Sequence, residues 1–250
     1  MSHRDWSGSR KPIIENLTAC ILAGGLGTRL RSVLPDTPKA MAPIAGAPFL
    51  VHLLEKLALA GIGRTVLCTG HLAGKIYDGV GDHFQKMEMV YSQEDKPMGT
   101  GGAARLSLSK VESSLVLVLN GDSYCDVDIE KLLHSHETKK SQGTLALAEV
   151  KDCSRYGSVT LDSNGSVTSF LEKGTKEGQG WINAGVYLLE RSVLQAIPAG
   201  KEVSLERETF PNLIGNGLFG FKMIGGGFID IGTPESYSQA TEFFQKRSRT

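Results

Sequence analysis

Apolar residues fall into two kinds of run along this chain. Leu17 to Leu22, Thr65 to Thr69 and Leu115 to Leu119 are unbroken blocks of strand length, the pattern of strands buried on both faces. Glu88 to Ser92 adds another strand of similar length. Between them Phe49, Leu50, Leu53, Leu54 and Leu57 recur at helical spacing until Gly61, with Pro48 where a first helical turn accepts it. A further helix runs through Ile76. Strands alternating with helices predict a mostly parallel sheet covered on both faces.

The rhythm changes after about Lys151. Tyr156 to Asp162 and Ser166 to Leu171 alternate apolar and polar residues around Ser163-Asn164-Gly165, which predicts a hairpin. Trp181 to Leu189 and Phe228 to Ile231 read as strands, and Thr233-Pro234-Glu235 opens a terminal helix with Tyr237, Ala240 and Phe244 on one side. These pieces are expected to extend the same sheet as antiparallel additions. The division that follows is a polar extension over 1–16 and one domain over 17–250, without repeats or a low-complexity linker. The apolar side of the last helix is a candidate homodimer face.

Composition narrows the function. The 250 residues carry 27 basic and 27 acidic side chains, so no net field draws the chain to nucleic acid or an anionic membrane, and any phosphate binding must be local. Cys20, Cys68, Cys125 and Cys153 are scattered, as reduced thiols of a cytoplasmic protein would be. No apolar run approaches the ~20 residues a bilayer requires, and the first sixteen residues hold no apolar leader segment.

The candidate chemistry starts where the first strand stops, at Gly24-Gly25-Leu26-Gly27 followed by Thr28 and Arg29. Glycines there let several N–H groups point at one anion, and Arg29 adds a planar fork of donors. Alone, GGxG equally fits an ordinary strand-to-helix turn. It is not a Walker A loop, having no GK[ST], and Leu30 stands where the third glycine of GxGxxG would be. Pro35 and Pro38 hold Lys39 on an extended segment returning to the glycines. A second glycine-rich turn, Gln93 to Ala104, opens a helix. Asp122 ends the block at Leu115 to Leu119, and Asp230 ends the strand at Phe228, so two carboxylates at one rim would suit Mg²⁺. Singly, each also fits a turn-former, and Lys39 and Lys173 each fit a solvated lysine. His52, His71, His83 and His134 are not grouped with the acids.

Taken together, LAGGLGTRLRSVLPDTPKAMAPIAGAPFL, PMGTGGA, VLNGD, RYGSV, FLEK, INAGVYLL and FIDIGTPESY resemble, in order, the sugar-1-phosphate nucleotidylyltransferase family from Leu17 to near Phe244. The resemblance implies a Rossmann-like nucleotidyltransferase fold in which a sugar 1-phosphate attacks the α-phosphorus of a nucleoside triphosphate and pyrophosphate leaves. By motif match, Leu22, Ala23 and the amides of Gly24, Gly25, Gly27 and Thr28 hold the triphosphate, Arg29 meets the pyrophosphate and Lys39 lies near the α-phosphate. Gly99, Thr100 and Gly101 let the chain approach base and ribose. Asp122 and Asp230 would hold Mg²⁺, and Lys173 would receive the sugar phosphate. Asn120, Tyr156, Gly157, Glu172 and Asn183 fall to the sugar phosphate and its hydroxyls.

Glu94 stands where thymidylyl and uridylyl relatives commonly carry glutamine. A carboxylate has only acceptors, which suits guanine N1 and N2 and repels the carbonyl edges of thymine or uracil, although Glu94 also fits a loop acid. Within the family the wording most resembles the bacterial D-glycero-D-manno-heptose 1-phosphate guanylyltransferases, next the mannose-1-phosphate ones, which often carry an added C-terminal domain that this chain is read as lacking. The expected activity is GMP transfer from GTP to such a sugar, supplying a nucleotide sugar for surface glycans. The rival readings are uridylyl transfer to an amino-sugar 1-phosphate and a non-catalytic nucleotide-sugar sensor. Sensors commonly lack a metal acid or the loop arginine; Arg29, Lys39, Asp122, Lys173 and Asp230 are all present here.

Overall fold

The computed structural model describes residues 14–25, 27, 30, 33–171 and 178–247. The unbroken apolar blocks form the centre of a ten-stranded sheet. β1 (Thr18–Leu22) lies between β4 (Arg64–Thr69) and β7 (Leu115–Asn120), parallel to both, and β6 (Met87–Gln93) runs parallel to β4. Ala19, Cys20, Ile21, Val116, Leu117 and Val118 are all 0 % exposed, which is why these strands show no polar face.

A short ladder of β2 (Pro43–Ile44) and β3 (Ala47–Pro48) leads into α1 (Phe49–Leu59). Phe49, Leu50, Leu53, Leu54 and Leu57 are buried to 1 % or less, whereas Leu59 on the outer face is 90 % exposed. Each buried side chain of that stripe is worth roughly 1.5–3 kcal/mol. Packing of one face, more than propensity, holds the helix. α2 (Ala73–Val80) and the antiparallel edge strand β5 (His83–Phe84) follow β4, and α3 (Gly99–Ser107) follows β6.

Beyond β7 come β8 (Ser123–Cys125), α4 (Ile129–Lys139) and β9 (Gly143–Val150). The expected hairpin is β10 (Ser158–Leu161) and β11 (Val167–Leu171), closed by Asp162 Oδ1, which accepts from the N–H of Asn164 at 2.9 Å and of Ser166 at 2.8 Å. β12 (Gly180–Glu190) joins the halves, running antiparallel to β7 from Val186↔Leu119 to Glu190↔Leu115 while also pairing β9 and β10. Its register against β9 breaks between Asn183 and Tyr187, where Gly185 has φ +74. A Cβ there would lie 2.5 Å from Ser123 Oγ and 2.9 Å from Asn120 Nδ2, so only glycine lets β12 cross this close to the end of β7.

α5 (Arg191–Gln195), a π-helical turn (Leu205–Thr209) and α6 (Phe210–Leu213) precede β13 (Leu218–Lys222), which adds parallel to β9. β14 (Phe228–Asp230) pairs antiparallel with β8, setting Asp230 opposite Ser123, and α7 (Pro234–Arg247) ends the described chain.

Two expectations change. The apolar side of the last helix is used within the chain: Ala240 is 0 % and Phe244 5 % exposed, and Phe244 stacks on His52 at 4.0 Å. Ile14, inside the segment assigned to a polar extension, is 1 % exposed and packs in the core. All four cysteines are buried. Among the described residues no helix is long and apolar enough to cross a membrane.

Candidate active site

The carboxyl ends of β1, β4, β6 and β7 share one edge of the sheet, and a cavity of 440 Å³ opens beside it. Leu22, Gly24, Gly25 and Gly27 line it from the loop after β1, Glu94, Pro97, Gly99 and Thr100 from the passage between β6 and α3, and Asn120 and Asp122 from the end of β7. Ala23, also assigned to the nucleotide, is buried at 8 % exposure. A second hollow, of 360 Å³, adjoins Glu94 and includes Gly24, Gly70, His71 and Lys96. His71, unremarkable in the sequence, therefore stands near the glycine loop because β4 ends beside β1.

Glu94 closes one end of the main cavity. Its Oε1 lies 2.7 Å from where a Cβ on Gly24 would be, and Oε2 accepts from the Met98 N–H at 3.1 Å. Burial pushes its pKa above the ordinary glutamate range; the Met98 N–H opposes that shift and the negative charge of Glu202 adds to it.

Glu202 was not foreseen. The segment 201–203 lies directly on the start of α3: the N–H of Gly101 donates to Val203 O at 2.8 Å and the N–H of Val203 to Met98 O at 2.9 Å. Gly99 has φ +68, and a Cβ on it would sit 2.5 Å from Val203 O. The bare faces of Gly99, Gly101 and Gly102 thus accommodate protein backbone, a correction to the view that they are bare for base and ribose; Gly99 and Thr100 still line the cavity. The same packing holds Glu202 at the cavity wall.

At the other end Lys39 Nζ, 14 % exposed, donates to Asp122 Oδ2 at 2.6 Å. Asp230 is brought alongside by the pairing of β14 with β8, and the N–H of Ile231 donates to Asp122 O at 2.9 Å. Asp230 Oδ1 accepts from the Gly232 N–H at 2.8 Å, and Oδ2 from the Tyr156 hydroxyl at 2.8 Å. Burial, with Asp230 beside it, pushes the Tyr156 pKa up to about 12, so that hydroxyl stays a donor. A Cβ on Gly232 would be 2.8 Å from Asp230 Oδ1 and 3.5 Å from Lys39 Nζ, so one ammonium stands at the corner where both acids meet. The turn at Gly24 and Asp122 line one cavity, and Asp230 lies beside Gly232 next to the Lys39 ammonium.

Tyr156 and Gly157 lie just before β10, where a Cβ on Gly157 would be 3.0 Å from Leu171 O. Asn183 Nδ2 donates to the Tyr187 hydroxyl at 2.9 Å, and Tyr187 donates to Glu206 Oε1 at 3.0 Å. Neither Tyr187 nor Glu206 was singled out in advance, although a tyrosine within the apolar run GVYLL must find a partner for its hydroxyl. Burial, then Glu206, pushes the Tyr187 pKa well up. Thr28, Arg29, Glu172 and Lys173 lie outside the described residues.

A parallel sheet with a cavity outside its strand ends, an acceptor-only carboxylate at one end and a lysine with two acids at the other, defines an α/β protein built for a nucleotide. The chain belongs to the nucleotidyl transferase family, whose profile matches residues 18–247. It is 38 % identical over 227 residues to mannose-1-phosphate guanylyltransferase of Mycobacterium tuberculosis, covering 89 % of this chain but 63 % of that protein, which is less than two thirds of its length. It is 36 % identical over 231 residues to D-glycero-alpha-D-manno-heptose 1-phosphate guanylyltransferase of Aneurinibacillus thermoaerophilus, covering 92 % of this chain and 99 % of that one. The crystal structure of HddC from Yersinia pseudotuberculosis superposes with a TM-score of 0.82 at 38 % identity, covering 91 % and 99 % of the two chains. The same protein has also been solved complexed with GMP-PN. Members of this family generally use a divalent metal.

Proposed function

We propose that the protein transfers the guanylyl group of GTP to a manno-configured sugar 1-phosphate, foremost D-glycero-D-manno-heptose 1-phosphate, and releases pyrophosphate. The observation that carries the choice of base is Glu94, an acceptor-only side chain closing the cavity opposite the acids. Guanine donates from N1 and N2, whereas the carbonyl edges of thymine and uracil would face a like partner. The guanylyltransferase relatives support the same base, and the manno-heptose and mannose 1-phosphates in their names support a manno-configured sugar. β12 pairing with β7 supports one domain over 17–250, and the four buried thiols support a cytoplasmic setting.

The sugar phosphate oxygen attacks the α-phosphorus in line, so no side-chain nucleophile is required and the protein's work is positioning and charge neutralisation. The backbone of Gly24, Gly25 and Gly27 meets the triphosphate. Lys39 leaves Asp122 for the α-phosphate, whose oxygens it neutralises during the in-line transfer. Arg29 serves the departing pyrophosphate and Lys173 the sugar phosphate, by motif match. Asn120, Tyr156, Gly157 and Asn183 are assigned to the sugar, and Glu172 joins them by motif match alone. Asp122 and Asp230 are hard oxygen donors meeting at one rim, which fits Mg²⁺; when bound, the ion supplies neutralisation of the polyphosphate.

Pyrophosphate release measured with each nucleoside triphosphate, against heptose, mannose and N-acetylglucosamine 1-phosphates, tests this. GTP with a manno sugar is the expected pair. A strong preference for dTTP or UTP overturns the assignment of Glu94.

A further inference from the structure

Beneath the sugar side runs a chain of side chains joined by hydrogen bonds to one acid. Glu206 sits on the π-helical turn Leu205–Thr209, and its carboxylate can only accept. Oε2 takes the hydroxyl of Thr100 at 2.7 Å and of Ser204 at 3.1 Å, while Oε1 takes the hydroxyl of Tyr187 at 3.0 Å. Tyr187 is 0 % exposed, so no bulk water can stand in for these partners. A phenol has one proton. Having given it to Glu206, Tyr187 must accept from everything else.

That requirement agrees with the amides. Asn183 must turn Nδ2 to the phenol, at 2.9 Å, and its Oδ1 then faces the Gly185 N–H, from which it accepts at 2.9 Å. Asn120 also directs its amide at the same phenol, and among the described residues its buried Oδ1 has no hydrogen-bond partner. Without the carboxylate, Tyr187 would be free to turn its proton toward the Asn183 Nδ2, which the Gly185 N–H holds in place, and that amide donor would lose its acceptor. Thr100 links the same acid to α3, and the N–H of Leu205 donates back to the Thr100 hydroxyl at 2.8 Å.

We propose that Glu206 is a positioning residue: by taking the Tyr187 proton it keeps that phenol an acceptor for the amides of Asn183 and Asn120, and so holds in place the donors and acceptors that a sugar 1-phosphate meets. This rests on the assignment of both asparagines to the sugar made above. It separates Glu206 from the acids that touch substrate or metal.

Tyr187→Phe removes only the hydroxyl and keeps the ring that packs edge-on against Phe210 at 4.9 Å. With whichever nucleotide the wild type prefers, KM for both substrates and the ratio of kcat/KM for mannose 1-phosphate to glucose 1-phosphate are measured. Tyr187→Phe is expected to raise the sugar KM about tenfold, the scale of one misdirected buried hydrogen bond, and to flatten the epimer ratio, with GTP KM changed by less than about twofold. Glu206→Leu should do the same, and Glu206→Gln, which keeps an acceptor for Tyr187, should restore most of the epimer ratio. An unchanged epimer ratio and sugar KM in Tyr187→Phe overturns the proposal. So do equal losses for both substrates that track a fall in Tm. A wild-type preference for another nucleotide overturns the base assignment alone, because the epimer ratio is read with the preferred nucleotide.

Discussion

On the side of the cavity proposed for the nucleotide the surface is mostly loop backbone held out by parallel strands, with Gly24, Gly25 and Gly27 beyond β1 and Gly99 opening α3. On the side proposed for the sugar stand side chains, Asn183 on β12 and Asn120 at the end of β7, linked to the buried Tyr187 and through it to Glu206. The two constructions fail differently. A backbone surface is damaged by adding atoms where space is closed, whereas a side-chain surface is damaged by losing a hydrogen-bond direction while its packing stays whole.

The largest effect is expected where the two sides meet. Asp122→Asn should lower kcat by ~10²–10³, the size of losing one preorganised electrostatic contact, with the fold intact because the carboxylate is 44 % exposed. Steady-state kinetics beside a thermal melt checks this, and near-normal magnesium-dependent turnover would refute the role of Asp122. Next comes a pair of glycines. Gly99→Ala must place a Cβ 2.5 Å from Val203 O at φ +68, and should cost about 1–3 kcal/mol in urea unfolding. Gly25→Ala meets nothing within 4 Å, and should stay within about 0.5 kcal/mol of the wild type while raising GTP KM. Equal destabilisation of the two would break the distinction between closed and open backbone.

The smallest effect is a shift in a pH profile. Glu94 is held above the ordinary glutamate range, so it takes up its proton at a higher pH than a free glutamate, whose pKa is about 4.3. A protonated Glu94 presents a donor where guanine also donates. GTP KM should therefore rise as pH falls through that raised pKa, beginning above the usual carboxylate window. Glu202→Gln removes the neighbouring charge and should move the rise to more acidic pH. A profile left in place by that substitution would sever the link between the two acids.

The parts of the site carried by short-range rules could be read along the chain. The apolar block ending at Asn120-Gly121-Asp122 announces a central strand with an acid at its tip, and Ser163-Asn164-Gly165 announces a hairpin, because each pattern reflects local geometry. β9 and β13 went unread: they pair with each other only after α5 and α6 have intervened, and β13 (LFGFK) is mostly half-buried. In α4 the buried stripe includes His136, which breaks the apolar periodicity and is held by Thr144 at 2.9 Å. Glu202 and Glu206 lie in KEVSLERE, which reads as a solvated charged stretch.

By itself the sequence determined that the apolar blocks at the centre of the sheet are strands, that a glycine turn follows the first of them, and which residue types gather into a family's motifs, since these depend on neighbours a few positions away. The tertiary structure alone decided that Lys39 pairs with Asp122 across 83 positions and that Glu206 governs Tyr187. It also decided that the bare glycines of α3 face protein backbone. Partnerships of that kind follow from which strands adjoin, and adjacency is fixed only when the whole sheet buries its apolar faces at once.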